Sequence, residues 1–234
     1  MTLTLSPQRL APIDQTLFDD LVSWWKLEEA SGERSDELGA HPLTASTNDP
    51  ANATGVRGNG CDFNKAATNS LTRANASAGL LKGDVGSWTF AAWIKVETHA
   101  NNNLLLSCWG SGGDRAWRIV TKATDGTAAQ LRFQATQDGS SGTITTAGAT
   151  EEQIMLTAGT WYFYQAQHRD GVNVRMRIDA GDWIATAMTG GLEPSPSDWI
   201  LGATFDGIVD EAAFWSRALS SAELDEMRAE VSLY

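Results

Sequence analysis

The feature that most constrains this chain is the period of its apolar residues. From about residue 22 to residue 218 they recur at every second position, in short runs broken by Gly, Asn and Asp. Side chains on an extended strand alternate between faces, so a period of two specifies half-buried strands rather than helices. SWTFAAWIKV (87–96) places Trp88, Phe90, Ala92, Ile94 and Val96 on a face expected to be core, and Thr89, Ala91, Trp93 and Lys95 on the other. In TWYFYQAQHRDGVNVRMRID (160–179) two such runs flank Asp170-Gly171, a hairpin turn signal. Val172, Val174, Met176 and Ile178 then form a dry face, and Asn173, Arg175, Arg177 and Asp179 a wet one. DAGDW, LLLSCWG, AWRIVTK and QLRFQAT add further strands. The middle of the chain carries no helical period that would make crossover units and no repeat of blade or solenoid length. The expected fold is all-β, two antiparallel sheets packed face to face.

The two ends depart from this pattern. Residues 1–12 are polar with two prolines and read as an arm; Asp14 is a plausible N-cap for a short helix that uses Ile13, Leu17, Phe18, Leu21 and Val22. This divides the chain into an arm and helix, 1–19, and one large domain, 20–234. At the far end, SSAELDEMRAE carries a capping box of Ser220 and Glu223, with Ala222, Leu224 and Met227 as a narrow apolar contact. That helix is expected to cover an edge or end of the sandwich.

A net charge of −12 with scattered basic residues argues against a nucleic-acid partner or an anionic membrane surface. No segment approaches the roughly 20 apolar residues that span a bilayer. The first residues lack the charged and apolar regions of a secretory signal. Cys61 and Cys108 could pair, but the expectation is that they are free, buried hydrophobes, and without a CxxC or His/Cys cluster zinc is not expected.

LVSWWKLEEASG (21–32), GVRGNGCDFN (55–64), SWTFAAWIKV, LTAGTWYFYQAQHRDGVNVRMRIDAG and FDGIVDEAAFWSRALSSAEL resemble, in this order, successive segments of laminin G-like, concanavalin A-like jelly rolls. The resemblance runs from about residue 20 to about residue 230. It implies a jelly-roll β-sandwich of the lectin-glucanase type with a C-terminal capping helix. It implies much less about activity, because this fold hosts lectins, adhesion modules, hydrolases and structural modules.

In related jelly rolls an acidic residue of the closing strand often holds a structural Ca²⁺, and the matching position is Asp210. Glu28 and backbone carbonyls near Gly58 or Gly60 could complete the six to eight oxygens calcium takes. The plainer reading is a salt bridge from Asp210 to Arg217 or a role at the strand-to-helix turn. Alternation puts Asp210 with Ile208, Ala212 and Phe214, and Glu211 with Val209, Ala213 and Trp215, so at least one carboxylate is expected to be partly buried and bound. Asp36 and Asp206 read as solvated turn residues.

The sequence does not read as an enzyme. Glycan hydrolysis needs two carboxylates facing one cleft. Hydrolases of this fold supply them as alternating acids on one inner strand, whereas Glu151-Glu152 are adjacent and the candidate concave strand shows Asn173, Arg175 and Arg177. There is no G-x-S-x-G elbow, and His41, His99 and His168 read as surface residues without a nucleophile.

Binding is the better reading. Of ten tryptophans most must be core, notably Trp88, Trp161 and Trp215. CWGSGGDRAW (108–117) brackets a Gly-rich loop with Trp109 and Trp117 and adds Asp114 and Arg115, a set able to stack on a sugar and bond its hydroxyls. HANNN (99–103) could add amides. The alternative is that both tryptophans point inward and the loop merely connects strands. The function expected is a non-catalytic glycan-binding or adhesion module, with a polysaccharide or cell-surface glycan as partner. Modules of this family usually act outside cells, and the expectation that reconciles this with the absent export signal is a phage-like virion, its parts made in the cytoplasm, docked to other virion proteins through the arm and acting at the surface; the alternative is a fragment or partner subunit of a larger surface protein whose signal lies elsewhere. A purely structural decoration or homo-oligomeric component is the first alternative, and a glycan hydrolase the second.

Overall fold

The computed structural model describes residues 15–98, 103–123, 128–148 and 154–230. Within them the chain forms β1 (Leu21–Trp25), β2 (Thr44–Ala45), β3 (Ala51–Thr54), β4 (Asn59–Phe63), β5 (Leu71–Arg73), β6 (Trp88–Val96), β7 (Asn103–Trp109) and β8 (Arg115–Ala123). It continues through β9 (Ala128–Ala135), β10 (Thr145–Ala147), β11 (Met155–Thr157), β12 (Trp161–Arg169), β13 (Asn173–Ile178), β14 (Ile184–Ala187), β15 (Trp199–Leu201) and β16 (Gly207–Trp215). The first sheet runs β14-β13-β12-β6-β16-β4-β3, with β1 also on β16; the second runs β10-β9-β8-β7-β15-β5-β2, with β11 also on β9. Every ladder pairs antiparallel, and neighbours distant in sequence, such as β6 and β16, give the jelly-roll connectivity.

The inner faces meet in a core rich in aromatic rings. Trp88 from the first sheet lies 4.7 Å from Trp117 of the second and 5.3 Å from Phe214, and Trp25 lies 5.0 Å from Trp199. The alternation expected for 88–96 holds, with Trp88, Phe90, Ala92, Ile94 and Val96 all in this core. The 161–178 hairpin pairs in the expected register about Asp170-Gly171, although Val172 is exposed and only Val174 and Met176 are fully buried on that face. Trp161 is half-exposed beneath Lys95 rather than core. Cys61 and Cys108 are buried and unpaired.

The outer face of the first sheet is not wet. A second apolar cluster there joins Leu17, Trp24, Ala91, Phe163, Ala213, Trp215 and Leu219 to Leu224 and Met227 of the C-terminal helix Ser221–Glu230. The capping box forms as expected: Glu223 N–H donates to Ser220 Oγ at 3.2 Å, and Ser220 N–H donates to Glu223 Oε2 at 2.7 Å. The helix roofs a polar layer in which Gln167 Nε2 donates to Leu219 O and Arg177 pairs with Asp225 at 2.8 Å. Arg177, expected in water, is therefore buried. The first described residues make a single 3-10 turn, Gln15–Phe18, and Val22 belongs to β1. That turn packs on the sandwich, since Trp215 Nε1 donates to Leu17 O. The arm 1–12, Ile13 and Asp14 lie outside the described residues. No helix among those described is long and apolar enough to cross a membrane.

Candidate functional site

With its first sheet roofed by the helix, the sandwich offers its second sheet as the open face. Strand register builds a row across it: Thr146 faces Gln134, Gln134 faces Arg118, Arg118 faces Ser107, Ser107 faces Ile200, Ile200 faces Thr72 and Thr72 faces Thr44. All but Ser107 are at least partly exposed. Period-two alternation turns their neighbours Trp117, Phe133, Cys108, Trp199 and Leu71 into the core and leaves these outward.

Trp109 sits at the end of β7 beside this row. A register shift between Cys108 and Trp109 sets it opposite Arg115, outward and half-exposed. The Arg118 guanidinium lies 4.4 Å from its ring centroid and that of Arg115 6.0 Å, a cation on the aromatic face in each case. Arg118 Nε donates to Gln134 Oε1 at 2.8 Å, and Gln134 Nε2 donates on to Thr146 Oγ1. Arg132, one row along, donates from Nε to Gln130 Oε1. A half-exposed indole overlain by guanidinium groups, with amides hydrogen-bonded beside it, is a set able to contact a sugar ring and bond its hydroxyls.

Of the residues expected to bind ligand, Trp109, Asp114 and Arg115 come together at this end of the sheet. Asp114 is exposed, and its carbonyl closes the loop by accepting from Gly110 N–H and Ser195 Oγ. Trp117 corrects the expectation: it is fully buried against Trp88, its Nε1 donating to Lys82 O at 2.5 Å, and it offers no face to a ligand. Arg118 and Gln134 were missed because only the pairing of β7, β8 and β9 brings them beside Trp109. Of HANNN, residues 99–102 lie outside those described, and Asn103 is buried and accepts from Lys65 Nζ. Glu151 and Glu152 also lie outside.

The acidic pair resolves differently. A bulge between Asp210 and Ala213, with Glu211 at φ 49°, shifts the alternation of β16, so Val209, Ala212 and Phe214 enter the core while both carboxylates face outward beneath the covering elements. Asp210 Oδ2 accepts N–H bonds from Val56 and Arg57 at 2.7 and 2.9 Å, and Glu28 Oε2 accepts from Asn59 N–H at 2.8 Å. The two carboxylates thus grip one turn, 55–59. Burial, with Glu28 nearby, pushes the Asp210 carboxyl up to about 6, against the pull of those N–H bonds. Arg217 pairs with Glu223 at 2.6 Å rather than with Asp210.

For calcium the fit is partial. Asp210 Oδ1 is a buried oxygen with no hydrogen-bond partner, and Glu28 is close enough to raise its pKa. Among the described residues, however, no three or more His, Cys, Asp or Glu side chains converge to hold a metal. Asp36 and Asp206 organise loops rather than sit in solvent: Asp36 is buried and accepts from the N–H groups of Trp24, Leu38, Ala40 and His41, and Asp206 accepts from Lys65 N–H and Thr98 Oγ1. His168 is buried too, with Nδ1 3.1 Å from Gly86 O and burial lowering its pKa.

A family model described as the concanavalin A-like lectin/glucanases superfamily matches residues 67–225, more than half of the chain. No curated protein matches. Among solved structures, domain 4 of AbnA, a GH43 extracellular arabinanase from Geobacillus stearothermophilus, in complex with arabinotriose, is similar at 16% identity and a TM-score of 0.64, over 89% of this chain and 98% of that one. The binding domain of Paraclostridial Mosquitocidal Protein 1 is similar at 14% identity and TM-score 0.69, over 92% of this chain and 53% of that one. Trypanosoma rangeli sialidase in complex with the inhibitor DANA follows at 16% identity and TM-score 0.63, over 88% of this chain and 32% of that one. The chain spans about half the length of the toxin binding domain and a third of the sialidase chain. At these identities the likeness is one of fold.

Proposed function

The chain belongs to the concanavalin A-like lectin/glucanases superfamily, and on that premise we propose that it is a non-catalytic glycan-binding module whose ligand lies across the open second sheet. The observation that carries this reading is Trp109, half-exposed, with the Arg115 and Arg118 guanidiniums over its ring and Arg118 leading a hydrogen-bonded chain through Gln134 to Thr146. The arabinotriose complex of a structurally similar domain supports a sugar as the ligand class. Asp210 and Glu211 do not suit hydrolysis: one grips a backbone turn and the other accepts from Trp24 Nε1, so neither is poised as a catalytic acid or base. A glycan array on the purified chain, with a reducing-sugar assay on every hit, tests the reading. Binding without sugar release is expected; sugar release, or no bound glycan at all, would refute it.

A structural Ca²⁺ held by Glu28 and Asp210 Oδ1 is an accessory proposal, supported by that unpartnered oxygen. Calcium should then raise the melting temperature and EDTA reverse the gain; a melting curve indifferent to both would dismiss it. Display of the module on a virion surface remains a proposal resting on the arm 1–12.

A further inference from the structure

The eight strands of the second sheet contain five cationic side chains, Arg73, Arg115, Arg118, Lys122 and Arg132, and not one Asp or Glu. This is a notable segregation in a chain whose net charge is −12. The strands of the first sheet mix three acids, Asp62, Asp210 and Glu211, with Lys95, Arg169, Arg175 and Arg177, so it is the acids that the second sheet excludes. Arg118, Lys122 and Arg132 share the outward register of this sheet, so its open face carries cations and no strand acid on an acidic protein.

Two of these cations lack a counter-ion. Arg115 donates to Gly139 O and Arg118 to Gln134 Oε1, both neutral acceptors, and among the described residues neither guanidinium has a carboxylate within ion-pair distance. Asp114, next to Arg115 in sequence, is exposed and pairs with neither. Arg118 is half-buried, and its pKa is lowered by burial and then by the like charge of Arg115. A partly desolvated pair of like charges is a standing cost in the free protein, and an anion arriving between them removes it. Guanidinium groups meet carboxylates through two parallel N–H···O bonds, and the fork of Arg118 beyond Nε is left for such a contact.

Resting on the glycan-binding reading above, we infer that the ligand is an acidic glycan, a uronic-acid polysaccharide whose ring stacks on Trp109 while its carboxylate is held by Arg118 and Arg115. The acidic remainder of the molecule repels a polyanion elsewhere and so favours this face. Trp109 supplies affinity for any sugar; the arginines supply the preference for a charged one.

The test uses alginate, polygalacturonate and hyaluronan, each beside its carboxyl-reduced form, bound to the full chain and to Arg118→Gln and Arg115→Gln variants whose melting curves match the parent. The parent should prefer at least one acidic polymer over its reduced form by about tenfold, and this preference should weaken as salt rises from about 0.05 M to about 0.5 M. Either variant should lose most of the preference, its affinity for the acidic polymer falling several-fold further than its affinity for the reduced form. Equal binding of acidic and reduced forms, or binding to none of the six polymers, overturns this inference; the glycan-binding module falls only if the array also shows no bound glycan. A preference that survives in both variants shows that the arginines do not carry it, and also overturns the inference.

Discussion

The indole N–H of Trp24 donates to Oε2 of Glu211 across 2.7 Å, joining β1 to the bulge of β16. This bond explains how a closing strand tolerates two adjacent acids: the bulge turns both outward, one toward an indole and the other toward a backbone turn. Burial, opposed by the Trp24 bond and aided by Asp210, raises the Glu211 carboxyl to about 7.

The raised values of Glu211 and Asp210 set a pH dependence. Each carboxyl binds its proton more tightly in the folded than in the unfolded chain, so the stabilisation is full below about pH 4 and is lost as pH rises through 6 and 7. Glu223 acts oppositely: burial alone would raise it, but Arg217 and Ser220 outweigh that and bring it down to about 2, so its stabilisation is present above pH 4.5 and lost in strong acid. Lowered His168 also favours higher pH. The difference between parent and Glu211→Gln isolates one group. The variant should gain about 1–3 kcal/mol at pH 8 and little at pH 4 by urea denaturation; an equal change at both pH values would contradict this account.

Gly58 has φ +53°, and a Cβ there would overlap the Glu28 carboxylate, whereas Gly32, at φ +83°, has nothing within 4 Å of the same position. Both Gly→Ala changes meet the left-handed penalty, but only Gly58→Ala must also displace Glu28. Gly58→Ala should cost about 1–3 kcal/mol, and more than Gly32→Ala. Equal costs in thermal melts would show that the grip on the 55–59 turn adds nothing.

Leu224 is fully buried beneath the C-terminal helix. Leu224→Ala should destabilise by about 2–4 kcal/mol, the range for a core leucine, because the cavity opens onto Phe163 and Trp215 rather than onto water. A loss below about 0.5 kcal/mol, typical of a surface change, would mean the helix is not docked.

Local pattern made much of this molecule legible. The apolar face of 88–96, the turn at Asp170-Gly171 and the capping box of Ser220 and Glu223 each depend on residues within a few positions, and each formed as the spacing indicates. What was hidden depended on pairing across long separations. The bulge at Glu211 leaves no mark in a period-two pattern, so Val209 was set on the wrong face. Trp109 and Trp117 bracket one loop with similar surroundings, and only register turns the first outward and the second into the core. Arg177 looked solvated because nothing local announces that the helix 44 residues later in the chain returns to cover it.

The central claim is that a sugar stacks on Trp109, and the direct measurement is the calorimetric affinity of parent and Trp109→Ala for the tightest array glycan, with melting curves of both. A Trp109→Ala variant that melts close to the parent is expected to bind at least about tenfold more weakly, a loss of about 1.4 kcal/mol. Unchanged affinity in a folded variant would contradict it.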